Sequence, residues 1–366
     1  MPLLAECLTP ALTAPIAPPP STTAVRILAD DLTGACDSAA PFLESGHSVR
    51  VWLGAVATEA ALESVQAFNT ASRAHSPQDA ASAVARAAET LELTAKPFVF
   101  KKVDSAGRGP IAAELNALHQ ALGTRAILFA PSFPAARRIV RNGILRLQNC
   151  PDCDSEVALA SMFPGQSCAL ISHASQISAT IANGATVLLC DAVSDRELDV
   201  LAAVAAAEPD LLYAGSAGLA RALAALRSAG HRTESPTPPK ARTNLTICGT
   251  RHPVTQLQLQ HLACVAPHSP RLHIRAHAAD APAIHACFER HDPAALILTG
   301  GDTALLALAT LGANSILLRG ELAPGIPWGV IQGGPAHNRV VITKSGGFGE
   351  PETLTRIVRS LAGAAA

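Results

Sequence analysis

Val25-Arg26-Ile27-Leu28-Ala29-Asp30-Asp31-Leu32-Thr33-Gly34-Ala35 is the stretch on which the reading of this chain turns. An apolar run of strand length stops at two adjacent carboxylates, and a Thr-Gly turn then leads into a helical pattern. Successive residues at a strand end point to opposite sides, so one Asp can face a cleft while the other supports the loop. One of the pair can also cap the following helix, but two carboxylates exceed what a cap needs. The same strand-then-helix unit recurs to the end of the chain. Strands are predicted at Val49–Leu53, Pro97–Val103, Arg125–Ala130, Val187–Asp191, Leu245–Gly249, Leu272–Arg275, Ala294–Thr299, Ser315–Leu318 and Val340–Lys344, with Ala-rich periodic stretches between them. That alternation predicts mainly parallel sheets covered by helices.

The chain has 366 residues, which at roughly 150 per domain suggests two domains. The segment His231–Thr243 (HRTESPTPPKART) has no apolar face and reads as the linker between them. The expected fold is α/β: two domains with mainly parallel sheets flanked by helices, facing each other across a ligand cleft. Lys and Arg number 28 against 29 Asp and Glu, a formal charge of -1. This balance lacks the footprint of a duplex-DNA or membrane-surface protein. No run of about 18 apolar residues is present, so no membrane span is expected. The nine cysteines are odd in number and widely spaced, unlike a disulfide framework, and suggest a reducing cytoplasm. Cys150 and Cys153 form a CxxC without a second pair, too few thiolates for a closed zinc site. Residues 1–24 read as a disordered Pro-rich tail.

In open α/β sheets, ligands meet the loops at the carboxyl ends of strands, and the unusual chemistry of this chain gathers in those loops. Lys101-Lys102-Val103-Asp104-Ser105-Ala106-Gly107-Arg108-Gly109 ends one strand in four charged groups, a costly placement unless they meet an anion or each other. Lys102 and Asp104 share a face and could simply pair. Arg73, after the strand-like VQAF run, adds a further positive point. The C-terminal part carries Gly300-Gly301-Asp302-Thr303, where Asp302 or Thr303 can cap a helix whose first amides attract phosphate. Lys344-Ser345-Gly346-Gly347-Phe348-Gly349 repeats the device, and Gly249-Thr250-Arg251-His252 opens a third such loop. Three glycine loops in one domain point to a nucleotide, although neither GxxxxGK[ST] nor a strand-adjacent GxGxxG occurs. Gly215-Ser216-Ala217-Gly218 reads first as close helix–strand packing.

Together these segments resemble the four-carbon acid sugar kinases. The matching stretches are ADDLTGA (29–35), SR (72–73), KKVDS with RG (101–109), APSFPAARRIVRNG (130–143), GSAGLA (215–220), GTRHPVTQLQ (249–258), GGDTA (300–304), APGIPWG (323–329) and KSGGFGEPETL (344–354). They keep the family's order across nearly the whole folded chain. The resemblance implies a sugar-acid domain at 25–230 and an ATP domain at 244–366. It implies transfer of phosphate to the terminal hydroxyl of an acid such as threonate, erythronate or a 3-oxo form. Substrate contacts then fall on Asp30, Asp31, Arg73, Lys101, Lys102, Asp104 and Arg108, with Asp31 the catalytic base. Nucleotide contacts fall on Thr250, His252, Gly300, Gly301, Asp302, Thr303, Gly346 and Gly347. Mg²⁺ is expected on the ATP phosphates with Asp302 as its protein ligand. The implied partners are a small sugar acid and ATP, with no nucleic acid and no membrane; a homodimer is allowed. The sequence departs from the family's DSTLRG pattern at Ala106-Gly107 and from its GSxS pattern at Thr250-Arg251-His252. A sensor that kept the clefts without turnover, or an NAD(P)-dependent oxidoreductase, are the competing readings.

Overall fold

A computed structural model of the chain describes residues 24–55, 57, 62–95, 97–148, 156–227 and 236–363. The Pro-rich stretch up to residue 23, Cys150, Cys153 and the first five residues of the expected linker lie outside that range. Of the described cysteines, Cys36, Cys168, Cys190, Cys248, Cys264 and Cys287 are free thiols.

Among the described residues, seventeen strands form. Eight make a parallel sheet in the N-terminal half: β1 (Val25–Ala29), β2 (Val49–Trp52), β3 (Val65–Asn69), β4 (Phe98–Lys102), β5 (Ala126–Ala130), and, beyond a small separate sheet, β9 (Cys168–Ile171), β10 (Val187–Cys190) and β11 (Leu211–Gly215). The small antiparallel sheet holds β6 (Arg138–Arg141), β7 (Ile144–Leu147) and β8 (Glu156–Ala158). In the C-terminal half, β12 (Asn244–Cys248), β13 (Arg271–His273), β14 (Ala295–Thr299) and β17 (Val340–Lys344) run parallel, flanked by antiparallel β16 (Pro327–Gln332) and β15 (Ser315–Glu321). The central strands β5, β11, β14 and β17 are buried along their whole length, and β1 at every residue but Arg26, as expected where helices cover both faces.

The two halves are not two sheets facing each other. Strand β15 pairs antiparallel with β2, through Ser315 with Trp52, Ile316 with Val51 and Leu317 with Arg50, and all the main strands form one 14-stranded sheet. One apolar layer runs unbroken from Val25 to Val341 beneath it. Arg50 reinforces the join, donating to Ser315 Oγ at 3.0 Å and to Glu63. The described part of the expected linker is also not free. Pro236 O accepts from Trp328 Nε1 and the Ala241 amide donates to Leu361 O, so 236–243 lies along the C-terminal half.

The antiparallel join makes the parallel strands of the two halves run oppositely. Six strand-to-strand steps separate β14 from β1. At roughly 20–25° of twist per step, the sheet turns by about 120–150° over that distance. The turn largely reverses the opposition and brings both sets of carboxyl ends to one side of the molecule. Among the described residues, no helix is long and apolar enough to cross a membrane.

Candidate active site

The first loop at this convergence follows β1. Asp31 caps the helix Leu32–Ala39: its Oδ1 accepts from the Gly34 amide at 2.9 Å, and its Oδ2 from Thr33 Oγ1 at 2.7 Å. Its neighbour Asp30 turns the other way and clamps Arg73 with two bonds of 2.7 and 2.8 Å. Arg73 Nη2 also reaches Asp31 Oδ1 at 2.8 Å, tying the pair together. One aspartate thus faces the cleft while the other holds a guanidinium, and the capping role belongs to the one that faces the cleft. Burial alone would raise the Asp31 pKa, but Arg73, Lys102 and the Thr33 bond hold it below the usual carboxylate range. For Asp30, burial wins over Arg73 and pushes the pKa up.

The second loop follows β4. Arg108 forms a two-bond pair with Asp104 at 2.7 and 2.8 Å, and Arg73 Nη1 lies 3.6 Å from the same carboxylate. Despite burial, the Arg108 bond and the Arg73 charge carry Asp104 well below the ordinary carboxylate pKa. Gly109 allows this loop its path: its φ is +93°, and a Cβ there would press on the Arg73 carbonyl at 3.2 Å.

The two lysines of this strand do not reach the cleft. Lys101 is fully buried and pairs with Glu114 at 3.0 Å, while its ammonium also donates to Lys102 O. Glu114 is held in turn by Ser72 Oγ. Lys101 therefore points to Glu114 and not into the cleft, a pairing that offsets the cost of burying its charge. Lys102 runs under the helix Leu32–Ala39, 3.9 Å from Asp37, and the simple Lys102–Asp104 pair does not form. Burial pushes Asp37 up to about 7, with Lys102 partly opposing it.

The facing wall comes from the C-terminal half. The helix Gly301–Thr310 starts on Gly300, whose φ of +98° suits glycine, and no side chain caps it. The expectation that Asp302 or Thr303 caps it does not hold. Its first-turn amides are left for another partner, and Asp302 stands exposed beside them. His252 caps the next helix, Pro253–Val265, by accepting from the Val254 amide on Nδ1 at 3.3 Å, which leaves its proton on Nε2. Burial, then Arg138, Lys344 and Arg108, lower its pKa and keep the ring neutral. The loop after β17 is drawn together by Lys344, which donates to Thr255 Oγ1, Ser345 O and Phe348 O at 3.0 to 3.2 Å.

These loops enclose one cleft of about 270 Å³. Asp31, Arg73 and Arg108 line it from the N-terminal half, opposite Thr250, His252, Gly300, Gly301, Asp302, Thr303, Gly346 and Gly347. Asp30, Lys101, Lys102 and Asp104 form the layer behind that wall. Thr33, Arg275 and Ser345 also line the cleft and were not singled out in the sequence. Thr33 lay within the quoted 25–35 stretch, and Arg275 ended a predicted strand. Gly215 and Gly218 do serve packing, since a Cβ on either would collide with the carbonyl of Ala130 or Ser132.

A sugar-binding N-terminal domain model matches residues 25–183, and a nucleotide-binding C-terminal domain model matches 281–354. A D-threonate kinase of Cupriavidus necator is 30% identical over 90% of this chain and 95% of its own. One of Bordetella bronchiseptica is 29% identical over 92% of this chain and 97% of its own. A structure of a Bordetella bronchiseptica protein of a then unassigned domain family, a domain-swapped dimer with bound citrate, covers 93% of this chain and 99% of its own, at 26% identity and a TM-score of 0.50. With a sugar-binding half, a nucleotide-binding half and kinase relatives along nearly its whole length, the chain belongs to the four-carbon acid sugar kinase family.

Proposed function

We propose that this protein transfers the terminal phosphoryl group of ATP to the terminal hydroxyl of a four-carbon sugar acid of the threonate, erythronate or 3-oxo-tetronate class. The observation that carries the reading is the pairing across one cleft of an ionised carboxylate, Asp31, with the uncapped start of the helix Gly301–Thr310. The names of the kinase relatives support the acid class.

In this reading the acid's carboxylate meets Arg108 and the open edge of Arg73 through charge-assisted bonds. Asp31 then orients the terminal hydroxyl and takes its proton. A low pKa suits that task, because phosphoryl transfer asks mainly for positioning and charge neutralisation rather than a strong base. The amides of Gly301 to Thr303, with Thr250, His252 and the Gly346-Gly347 turn, receive the nucleotide phosphates. No group of three or more metal-ligating side chains gathers among the described residues. A Mg²⁺ ion held mostly by phosphate oxygens fits such a site, since it commonly uses only one or two protein carboxylates. Asp302 is the residue to hold it, and the ion would neutralise charge on the phosphates. We extend the homodimer expectation to this chain on the strength of the domain-swapped relative.

A coupled ADP-release assay with D- and L-threonate, the erythronates and their 3-oxo forms tests the proposal. Turnover with a four-carbon acid and none with longer sugars is expected. ADP release that no acid stimulates would overturn it.

A further inference from the structure

Beside the cleft lies a second cavity of about 220 Å³, which shares His252 and Gly347 with it. Its conspicuous member is Arg138, the first residue of β6, contributed by the N-terminal half to a space otherwise walled largely by the C-terminal half. Arg138 is only 7% exposed. Its Nη1 donates to Ala136 O, and its guanidinium lies over the Phe348 ring at 5.9 Å. Its Nε is buried without a partner, and no carboxylate lies within ion-pair distance among the described residues. The acid that lines the same cavity, Glu350, turns instead to Arg137 at 3.5 Å.

A buried guanidinium without a counter-ion is expensive. Here the expense is compounded, because Arg108 acts with Arg138 on the same His252 ring. Two guanidinium groups therefore converge where the two halves meet. Arg138 Nη2 is aimed at the glycine turn: a Cβ on Gly347 would lie 3.2 Å from it. An arginine with free N–H groups, a neutral His252 Nε2–H and a bare glycine turn together form a cradle for a tetrahedral anion.

We propose that Arg138 is a catalytic residue, lent by the sugar-acid half, that grips the terminal phosphates of the nucleotide during transfer. The proposal rests on the kinase reading above and names a contact that reading does not contain. In the step, the bond between the γ-phosphorus and the β–γ bridging oxygen breaks as a bond to the acid's terminal oxygen forms. The hydroxyl proton passes to Asp31, and ADP leaves carrying the electron pair on its β-phosphate. Negative charge grows on the bridging and equatorial oxygens, and Arg138 is a cation placed to meet it beside the Gly346-Gly347 turn. Because Arg138 belongs to the half that holds the acid, its contact with phosphate forms only when the two halves are together.

The test uses the full chain with Arg138→Gln and Arg138→Lys. For Arg138→Gln, kcat is expected to fall about 10²- to 10³-fold, with little change in KM for the acid. Equilibrium titration should show affinity lost most for a non-hydrolysable Mg-ATP analogue, less for ADP and least for AMP. Added guanidinium ions should restore part of the rate. If the Gln variant does not fold, the Lys variant carries the test. It keeps a cation on the stem but lacks the planar fork that grips two oxygens side by side, so it should show the same graded loss in smaller measure. Wild-type kcat in a folded variant, or an equal loss of affinity for AMP and the ATP analogue, would overturn the proposal. A wild-type enzyme that turns over no acid would instead sink the kinase reading, and the nucleotide series would still decide the role of Arg138.

Discussion

Asp31 and Gly301 occupy each other's margin: a Cβ on Gly301 would stand 3.0 Å from Asp31 Cγ and overlap its Oδ2 outright. One residue caps the helix that follows the first strand of the N-terminal half, and the other opens a helix of the C-terminal half. Their approach brings a carboxylate to free helix amides, and it requires that position 301 carry no side chain. Asp31 cannot easily withdraw, since Arg73, Thr33 and the Gly34 amide all hold it.

Gly301→Ala should therefore separate the halves locally while leaving the helix itself intact. We expect kcat/KM to fall at least tenfold, a loss of about 1.4 kcal/mol in transition-state binding. The overpacking cost to stability should stay within about 1–3 kcal/mol. Steady-state kinetics beside urea denaturation measure both, and unchanged kinetics would show that the approach is not used in turnover.

Asp31→Asn preserves the helix cap, because asparagine caps as well as aspartate. It removes the acceptor for the hydroxyl proton. Turnover is expected to drop about 10²- to 10⁴-fold with nucleotide affinity nearly unchanged. A titration with Mg-ADP alongside the coupled assay separates the two effects.

Lys101 should prove structural. Lys101→Met leaves Glu114 buried without its cation, at a cost of about 3–5 kcal/mol. The double replacement Lys101→Met with Glu114→Leu should recover most of that loss. In the double variant KM for the acid should remain close to wild type, whereas a direct ligand contact would raise it steeply.

Lys344 supplies a pH signature. Burial lowers its pKa to about 7, below the ordinary lysine value. Between pH 7 and about 10 the unfolded chain then holds a proton that the folded protein has released, so stability rises with pH across that window. Relative to Lys344→Met, the slope should not exceed about 1.4 kcal/mol per pH unit. The neutral amine has two N–H groups for three acceptors, so KM for the nucleotide should rise as pH passes about 7, in wild type alone. Thermal melts and kinetics from pH 6 to 10 read both.

Much of this site was legible because its loops carry chemistry that packing does not require. Two carboxylates after Ala29, a charged end to β4 and the glycine turns after β14 and β17 all led to the cleft. What stayed hidden was the depth of each side chain. Lys101 and Lys102 are adjacent in sequence and look equivalent, yet strand alternation sends Lys101 beneath the wall to Glu114. Arg138 stood in a quoted motif without a role, because only the fold carries β6 across to the Phe348 loop. The β6–β7 hairpin does leave a mark in the sequence: Asn142-Gly143, with φ of +54° and +71°, sits between two short apolar-polar runs in the manner of a type I′ turn. The single sheet was not readable, since edge pairing between β2 and β15 leaves no mark in either strand's own pattern.

That pairing gives the molecule an optical handle. The chain has two tryptophans, and both flank β15: Trp52 opposite Ser315 on one side, Trp328 opposite Gly320 on the other. Tryptophan emission from the unlabelled protein thus originates entirely at the joint between the halves. Any ligand that bends or stiffens the joint should announce itself in colour or intensity, even when it binds well away from either indole.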